Sequence, residues 1–257
     1  MFRTTRLGAL LCALCATALA SGTAHAAPIA WAPNASGTNS QVTWNNGQTD
    51  NGLYGTGPTV TGSHFDFDPT SFTANPNPGK AQSKTDRLSV QLEATQPGQS
   101  ITQIKITESG TWSIRGAGTV KAFGSLFVTK LNSPGFGTVW SDTLDVIYKE
   151  ELSPLDSIEN LSVLASNPTG TTGVTRSGVW EASFVINIPT NQLTSGQLVL
   201  NNILQAVATN GTGDFATITK SDFDIDAAVP EPAGAAMLLF GGAAVLLRRR
   251  RAEASVN

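Results

Sequence analysis

The alternation of apolar and polar residues is the feature that most constrains the fold of this 257-residue chain. In RLSVQLEA (87–94), Leu88, Val90 and Leu92 fall on one face, and the residues between them are polar. WEASFVINI (180–188) alternates in the same way. A period of two over such lengths is typical of half-buried β-strands. The sequence therefore predicts a fold built from strands.

Shorter alternating stretches extend this prediction along the chain. They predict strands at 41–44, 63–67, 101–108, 111–115, 119–131, 143–147, 197–208, 215–218 and 222–225. Ser109-Gly110 and Gly116-Ala117-Gly118 separate three of these strands, and such glycine-containing breaks predict hairpin turns. Gly124 lies inside a predicted strand and indicates a β-bulge.

Two stretches depart from the strand pattern. SPLDSIENLSVL (153–164) begins with Ser153, Pro154 and Asp156, which suit the start of a helix, so a short helix and a long ordered loop both remain open. NPTGTTGVTRSG (167–178) predicts an exposed loop. No repeat of fixed period occurs, which disfavours a solenoid or a propeller. About ten strands with turn signals between them predict an antiparallel β-sandwich over residues 27–226, without a second domain.

The amino-terminal 26 residues have the features of a secretory signal peptide. Arg3 and Arg6 precede an apolar run, which ends at the small-residue site Ala24-His25-Ala26. The apolar run is shorter than the roughly 20 residues that a membrane span needs. We therefore predict export and cleavage before Ala27.

Removal of residues 1–26 leaves few groups suited to catalysis. Cys12 and Cys15 are both lost, so neither a disulfide, a thiolate nucleophile nor a cysteine-based metal site is expected. His64 becomes the only histidine, which excludes a multi-histidine metal site. The sequence thus predicts a protein that is not an enzyme.

The exported part is acidic. Residues 27–229 contain 10 lysines and arginines against 17 aspartates and glutamates, a net charge of −7. No basic stripe occurs, so neither nucleic acid nor an anionic membrane surface is an expected partner.

The carboxyl-terminal region has three parts. A linker (227–232) contains Pro230, Glu231 and Pro232, an uncharged segment of 15 residues follows (233–247), and a basic tail (248–257) ends the chain. At ~1.5 Å per residue the uncharged segment reaches about 22 Å as a helix, short of a ~30 Å hydrocarbon core. The basic tail resists export and acts as a membrane stop through Arg248, Arg249, Arg250 and Arg251. These features predict a short tail anchor with an extended, accessible junction.

This order of a Pro-Glu-Pro tripeptide, a short apolar segment and an arginine cluster resembles the PEP-CTERM sorting signal. The resemblance covers roughly the last 25 to 30 residues. It implies a bacterial protein whose tail is processed by an exosortase, in systems that accompany exopolysaccharide and biofilm production. Segments 43–62, 100–120 and 200–225 also resemble uncharacterised ectodomains that carry this tail. That likeness implies a β-sandwich and a location in the cell envelope, at the cell surface or in the extracellular matrix, but no activity.

Two residue groups are candidates for ligand binding. Asp222, Asp224 and Asp226 would share one strand face if Phe223 and Ile225 are buried, and converging carboxylates suit Ca²⁺. A solvated strand face is the alternative, and no other cofactor is expected. The neighbours proposed for this ladder are Asp66, Asp68 and, as a cationic partner on the same face, Lys220.

The second group is aromatic. Trp31 and Trp44 lie among Asn, Gly and Thr, where exposed rings would stack on sugars. Packing in the core is the alternative for both, and it is the expectation for Trp112 and Trp180. A glycosidase would need two carboxylates at ~5–10 Å in a cleft. Its candidates are Glu108, Glu150, Glu151, Glu159 and Glu181.

The sequence favours a non-catalytic protein of the cell surface or extracellular matrix, which is sorted by an exosortase and associated with exopolysaccharide. The alternative is a lectin-like, Ca²⁺-dependent carbohydrate-binding module. An exported hydrolase is the third hypothesis. In each case the membrane is a partner only through the tail before processing.

Overall fold

A computed structural model describes residues 27–131, 137–150, 165–167, 175–209 and 213–230. These residues form β-strands and no helix. The strands are β1 (Ile29–Ala30), β2 (Gly37–Thr38), β3 (Val42–Thr49), β4 (Thr59–Thr61), β5 (His64–Phe67), β6 (Thr73–Ala74), β7 (Ala81–Ala94), β8 (Gln103–Arg115), β9 (Gly118–Lys130), β10 (Val139–Thr143), β11 (Asp145–Glu150), β12 (Ala165–Asn167), β13 (Thr175–Asn187), β14 (Ser195–Ala208) and β15 (Phe215–Ala228).

The strands form two antiparallel sheets. The first sheet has the order β1-β3-β7-β14-β9-β10, with β2 paired to β3 and β12 paired to β9. The second sheet has the order β11-β13-β8-β15-β5-β4, with β6 paired to β15. Side chains from both sheets belong to one hydrophobic core, so the all-β, sandwich-like architecture expected from the sequence is confirmed.

The alternation in the sequence corresponds to the inner and outer faces of the sheets. Leu88, Val90 and Leu92 are buried in β7, and Trp180 and Phe184 are buried in β13. The prediction that Trp112 and Trp180 belong to the core is likewise confirmed.

Three glycine predictions were wrong. Ser109-Gly110 is not a turn, because β8 continues through both residues. The segment around Gly116 does not close a hairpin, since it connects β8 of the second sheet to β9 of the first. Gly124 is not in a bulge, because the pairing of β9 with β14 runs without a register shift. In each case the glycine allows close packing or connects two strands. The alternation in the sequence cannot distinguish such a glycine from one in a hairpin turn or a bulge.

Some predicted boundaries also change. Residues 215–218 and 222–225 belong to one strand, β15, with a register irregularity between Lys220 and Asp222. The loop predicted for 167–178 overlaps β13, which already begins at Thr175. Ala227 and Ala228 belong to β15 and not to a linker.

Several predictions fall outside the described residues. They concern the signal peptide (1–26), the helix or loop at 153–164, the apolar segment (233–247) and the basic tail (248–257). Within the described ranges no helix has the length and apolar character needed to cross a membrane.

Candidate functional site

The predicted aspartate ladder lies on the outer face of the second sheet. Asp222, Asp224 and Asp226 occupy alternate positions of β15, and Phe223 and Ile225 between them are fully buried. Because successive strand residues point to opposite faces, the three carboxylates share one face, as the sequence indicated.

Asp66 joins two of these aspartates. The register of β5 against β15 places Asp66 opposite Asp224. One potential ligand atom from each of Asp66, Asp222 and Asp224 lies within 4.8 Å of the others. Three converging carboxylates offer the oxygen ligands that Ca²⁺ prefers, and water would complete the roughly six to eight positions of its coordination shell. Asp68 and Asp226 are not part of this cluster.

His64 forms a hydrogen bond with Asp226, the third residue of the aspartate ladder. Its Nδ1 atom lies 2.8 Å from Oδ1 of Asp226, and its Nε2 atom lies 3.3 Å from Oδ1 of Asp224. The hydrogen bond with Asp226 raises the pKa of His64, and the charges of the nearby aspartates add to this effect. Burial raises the pKa of Asp224, and the neighbouring Asp222 charge adds to that shift. A cation and the His64 proton would therefore compete for the same negative charge.

The position predicted for Lys220 was wrong. Strict alternation would place Lys220 on the outer face with Asp222 and Asp224. The register shift adds Ser221 between them, so Ser221 and Asp222 are both exposed while Lys220 points inward. An extra residue in one strand reverses the facing of everything beyond it.

Lys220 instead belongs to a buried group that we name the core polar cluster: Lys220, Glu108, Asn202 and Tyr54. Lys220 Nζ lies 2.8 Å from Oε2 of Glu108, and both side chains are completely buried. Asn202 Nδ2 donates a hydrogen bond to Oε1 of the same carboxylate. Lys220 and Glu108 come from the second sheet and Asn202 from the first, so this cluster connects the two layers.

Three aromatic rings surround the Lys220 amine. Its Nζ atom lies 4.9 Å from the ring centre of Tyr54, 4.7 Å from that of Phe72 and 5.1 Å from that of Phe223. Burial lowers the pKa of Lys220, with Glu108 acting in the opposite direction. Burial also raises the pKa of Tyr54, which keeps its hydroxyl protonated at neutral pH.

Asp86 fixes the loop that carries Tyr54. This fully buried aspartate accepts hydrogen bonds from the backbone N–H groups of Asp50 and Asn51 through Oδ1 and of Leu53 through Oδ2. Burial raises the pKa of Asp86, and these backbone donors oppose the shift. The carboxylate thereby orients the loop so that the Tyr54 ring enters the core.

The core polar cluster was not predicted from the sequence, although the sequence contains a signal for it. Glu108 continues the apolar face of Ile104 and Ile106, and Lys220 continues that of Ala216 and Ile218. Asn202 similarly interrupts the buried row Leu198, Leu200, Leu204 of β14. Polar residues at positions where the alternation demands apolar ones mark such groups.

Exposure of the candidate sugar-stacking residues is not observed. Trp31 and Trp44 are only 3% and 6% exposed, and their rings pack on Phe65 at centre distances of 6.5 and 5.4 Å. Gly47 and Gly37 leave the space that the two indoles fill, because a Cβ at either glycine would overlap the ring. The glycine-rich context thus serves close packing and not exposure.

Among the described residues, two open grooves lie on the outer face of the second sheet. One of about 510 Å³ is lined mainly by Thr111, Ser113, Lys149, Ser177, Val179 and Thr217. The other, of about 400 Å³, includes Lys105, Thr107, Ser109, Asp145, Glu181 and Asp222. Both grooves present hydrogen-bonding side chains, and the second adjoins the aspartate cluster.

The candidate glutamates do not converge as a described pair. Glu108 is buried in the core polar cluster, whereas Glu181 forms a surface ion pair with Lys149 at 2.8 Å. The side chain of Glu150 and all of Glu151 and Glu159 lie outside what the structure describes.

The segment predicted to be a sorting signal begins one residue after the last strand. Pro230 is exposed, and its carbonyl oxygen accepts a hydrogen bond from Nε2 of Gln99 at 3.0 Å. Glu231, Pro232 and the four arginines lie outside the described residues.

Comparison with known proteins gives no family. No family model and no curated protein matches this chain. Among solved structures, a chain from "Structure of infectious bursal disease virus Gt strain" aligns at 12% identity over 70% of this chain and 47% of that chain, with a TM-score of 0.09. This chain thus spans about half the length of the viral one. Such a TM-score indicates neither a shared fold nor a shared function.

Proposed function

We propose that this protein is an exported, non-catalytic component of the bacterial cell surface or extracellular matrix. An exosortase-type system sorts it through the Pro230-Glu231-Pro232 tail, and its setting is exopolysaccharide or biofilm. The membrane is a transient partner through the tail before processing. The resemblance of the tail to the PEP-CTERM signal motivates this proposal.

The observation that supports it is where the folded domain ends. Strand β15 is paired with β8 as far as Ala228, which lies opposite Gln103. The backbone N–H of Thr102 also donates to the Ala228 carbonyl at 2.9 Å. Only Val229 therefore separates the hydrogen-bonded sheet from Pro230. A tail that follows the sheet so closely would hold the domain against the outer side of the membrane that the tail enters, until the tail is cut.

The test is to map the carboxyl terminus of the mature protein by mass spectrometry in cell fractions, with and without a working exosortase. We expect surface protein that lacks Arg248–Arg251 and ends near 229–232. A Pro230→Ala, Pro232→Ala variant should retain the arginines and accumulate in the membrane, whereas Pro189→Ala should be processed normally. An intact arginine tail on most surface protein would contradict the proposal.

A Ca²⁺-dependent carbohydrate-binding module is the second candidate. The aspartate cluster beside a polar groove favours it, since a bound cation and hydroxyl-bearing side chains together suit a sugar. The burial of Trp31 and Trp44 weighs against it, because neither ring is available for stacking.

Calcium binding is testable by thermal melting. We expect the melting temperature of the exported domain to rise with Ca²⁺ by the amount that mass action gives for the measured affinity. Asp222→Asn, Asp224→Asn together should abolish the rise, whereas Asp68→Asn, outside the cluster, should leave it intact. If millimolar Ca²⁺ leaves the melting temperature unchanged, the ladder is a solvated face, and a glycan-array screen then tests sugar binding alone.

A further inference from the structure

The core polar cluster contains an amine, a carboxylate and a primary amide in one buried contact. Oε2 of Glu108 lies 2.8 Å from Lys220 Nζ, and Oε1 accepts the hydrogen bond of Asn202 Nδ2. Both nitrogens therefore contact the same carboxylate, each at its own oxygen. All three side chains are closed off from bulk solvent.

A simple ion pair leaves several atoms of this cluster without partners. Lys220 Nζ pairs with Oε2 of Glu108 at 2.8 Å, and its remaining protons have no hydrogen-bond acceptor among the described residues. Oδ1 of Asn202 and the Tyr54 hydroxyl also have no hydrogen-bond partner there. An amine, an amide oxygen and a hydroxyl with unused hydrogen-bonding capacity therefore lie in the same part of the core.

We propose that Lys220 and Asn202 join through an intramolecular isopeptide bond, formed autocatalytically with Glu108 as the proton-transfer group. The bond connects β15 of the second sheet to β14 of the first, through the middle of the core. It is a covalent maturation step of the domain, independent of the sorting and surface role proposed above.

The reaction needs no oxidant, metal or co-substrate. The Lys220 ammonium gives a proton to Oε2 of Glu108, which the water-free surroundings favour because they penalise two charges. The neutral Nζ then attacks Cγ of Asn202, and the carbonyl electron pair moves onto Oδ1. Glu108 delivers a proton to Nδ2, the Cγ–Nδ2 bond breaks, and ammonia leaves as the new Cγ–Nζ amide forms. The second proton lost by Nζ returns to Glu108, so atoms and charge balance.

The surroundings assist each step. Burial lowers the pKa of Lys220, and the three aromatic rings exclude water from the amine. The Tyr54 hydroxyl belongs to the same cluster and stays protonated because burial raises its pKa, so it can act as a neutral donor for the negative charge that develops on Oδ1. Because Lys220 and Asn202 both contact the Glu108 carboxylate, the nucleophile and the electrophile share one part of the core, and this supplies proximity that an uncatalysed amide exchange lacks.

The decisive measurement uses the unmodified full-length chain. A protease that cuts before aspartate releases 214–221, which contains Lys220, separately from 156–213, which contains Asn202. If the bond forms, the two peptides remain joined as one branched species that is about 17 Da lighter than their sum, the mass of ammonia. Two separate peptides would overturn the proposal. A succinimide at Asn202 also loses ammonia, but it leaves the peptides separate and overturns the proposal as well.

Variants identify the groups involved. Lys220→Met and Glu108→Gln should each release two separate peptides, with no loss of mass. Lys149→Met and Glu181→Gln, which break the surface ion pair of the same 2.8 Å contact distance, should keep the branched species. A branched species that persists in Glu108→Gln would show that Glu108 is not the proton-transfer group and would overturn that part of the assignment.

Discussion

At the scale of single residues, Lys220 and Glu108 have completely buried side chains in a core that is otherwise mostly apolar. Burying two ions costs several kcal/mol for each ion, and their attraction offsets this cost only when the remaining hydrogen bonds are also satisfied. Three rings at about 5 Å from Nζ compensate in part through cation–π attraction, at about 2 kcal/mol or less per ring. Proton transfer from Lys220 to Glu108 removes both charges, so the cluster is suited to chemistry more than to stability.

His64 allows the electrostatics of the outer face to be measured directly. It is the only histidine in residues 27–230, so its ring Hε1 proton gives a single NMR signal of its kind. Because Asp226 and its neighbours raise the pKa of His64, we expect its titration midpoint to lie above the ordinary value of about 6.5. Asp226→Asn should lower that midpoint, and Asp68→Asn should change it little. A midpoint at or below 6.5 in the unmodified protein would contradict the hydrogen bond with Asp226.

The same shift fixes the direction of the pH dependence. A group with a raised folded-state pKa binds its proton more tightly in the folded protein than in the unfolded chain. Its contribution to stability is therefore complete below pH ~6.5 and is lost as the pH rises through the folded-state pKa. Since His64 and Asp226 are nearly half exposed, solvent screening keeps this contribution small.

At the scale of elements, Gly110 lets three strands of the second sheet pack laterally. It lies opposite Trp180 of β13 on one side and Lys220 of β15 on the other. The Trp180 indole crosses it and donates a hydrogen bond from Nε1 to the Thr219 carbonyl at 3.0 Å. A Cβ at Gly110 would lie 1.8 Å from that carbonyl oxygen and 2.6 Å from Nε1.

We therefore expect Gly110→Ala to lower the free energy of unfolding by at least about 2 kcal/mol, because overpacking adds to the loss of a buried hydrogen bond. Urea denaturation measures the change. Ser109→Ala, at the adjacent position on the outer face, should alter stability by no more than about 0.5 kcal/mol. Equal stability of Gly110→Ala and the unmodified protein would show that the indole does not cross β8 at this point.

Gly110 also shows which kind of feature could not be predicted from the sequence. The alternation of β8 and β13 predicts which residues are buried, because period two is a local property of a strand. Whether a glycine marks a turn or leaves room for a ring depends on a side chain from another strand, here Trp180, about 70 residues away in sequence. The inward direction of the Lys220 side chain likewise depends on another strand. Ser221 is an extra residue only because of the way in which β15 pairs with β8. The aspartate ladder was predictable because it depends only on the alternation within one strand. The core polar cluster was not predictable in this way, because it forms only when the two sheets pack on each other.

At the scale of the whole molecule, the two sheets depend on one core. Trp44 of the first sheet and Trp112 and Trp180 of the second belong to the same hydrophobic cluster. The core polar cluster adds a polar connection between the layers. Neither sheet therefore has an apolar surface that it can bury without the other.

We accordingly expect residues 27–230 to fold alone, without an oxidant, and to unfold in one cooperative step. No cysteine lies in this range, so a reducing agent should not change the transition. Far-UV circular dichroism follows the strands of both sheets, and tryptophan fluorescence follows the shared core. The two signals should give the same urea midpoint if unfolding is two-state.

Separate midpoints would mean that one sheet persists without the other, and a helix-dominated spectrum would contradict the β-fold itself. A shift of both midpoints to lower urea in Lys220→Met, with their coincidence retained, would show that the proposed bond from Lys220 to Asn202 strengthens the single core without creating a second folding unit.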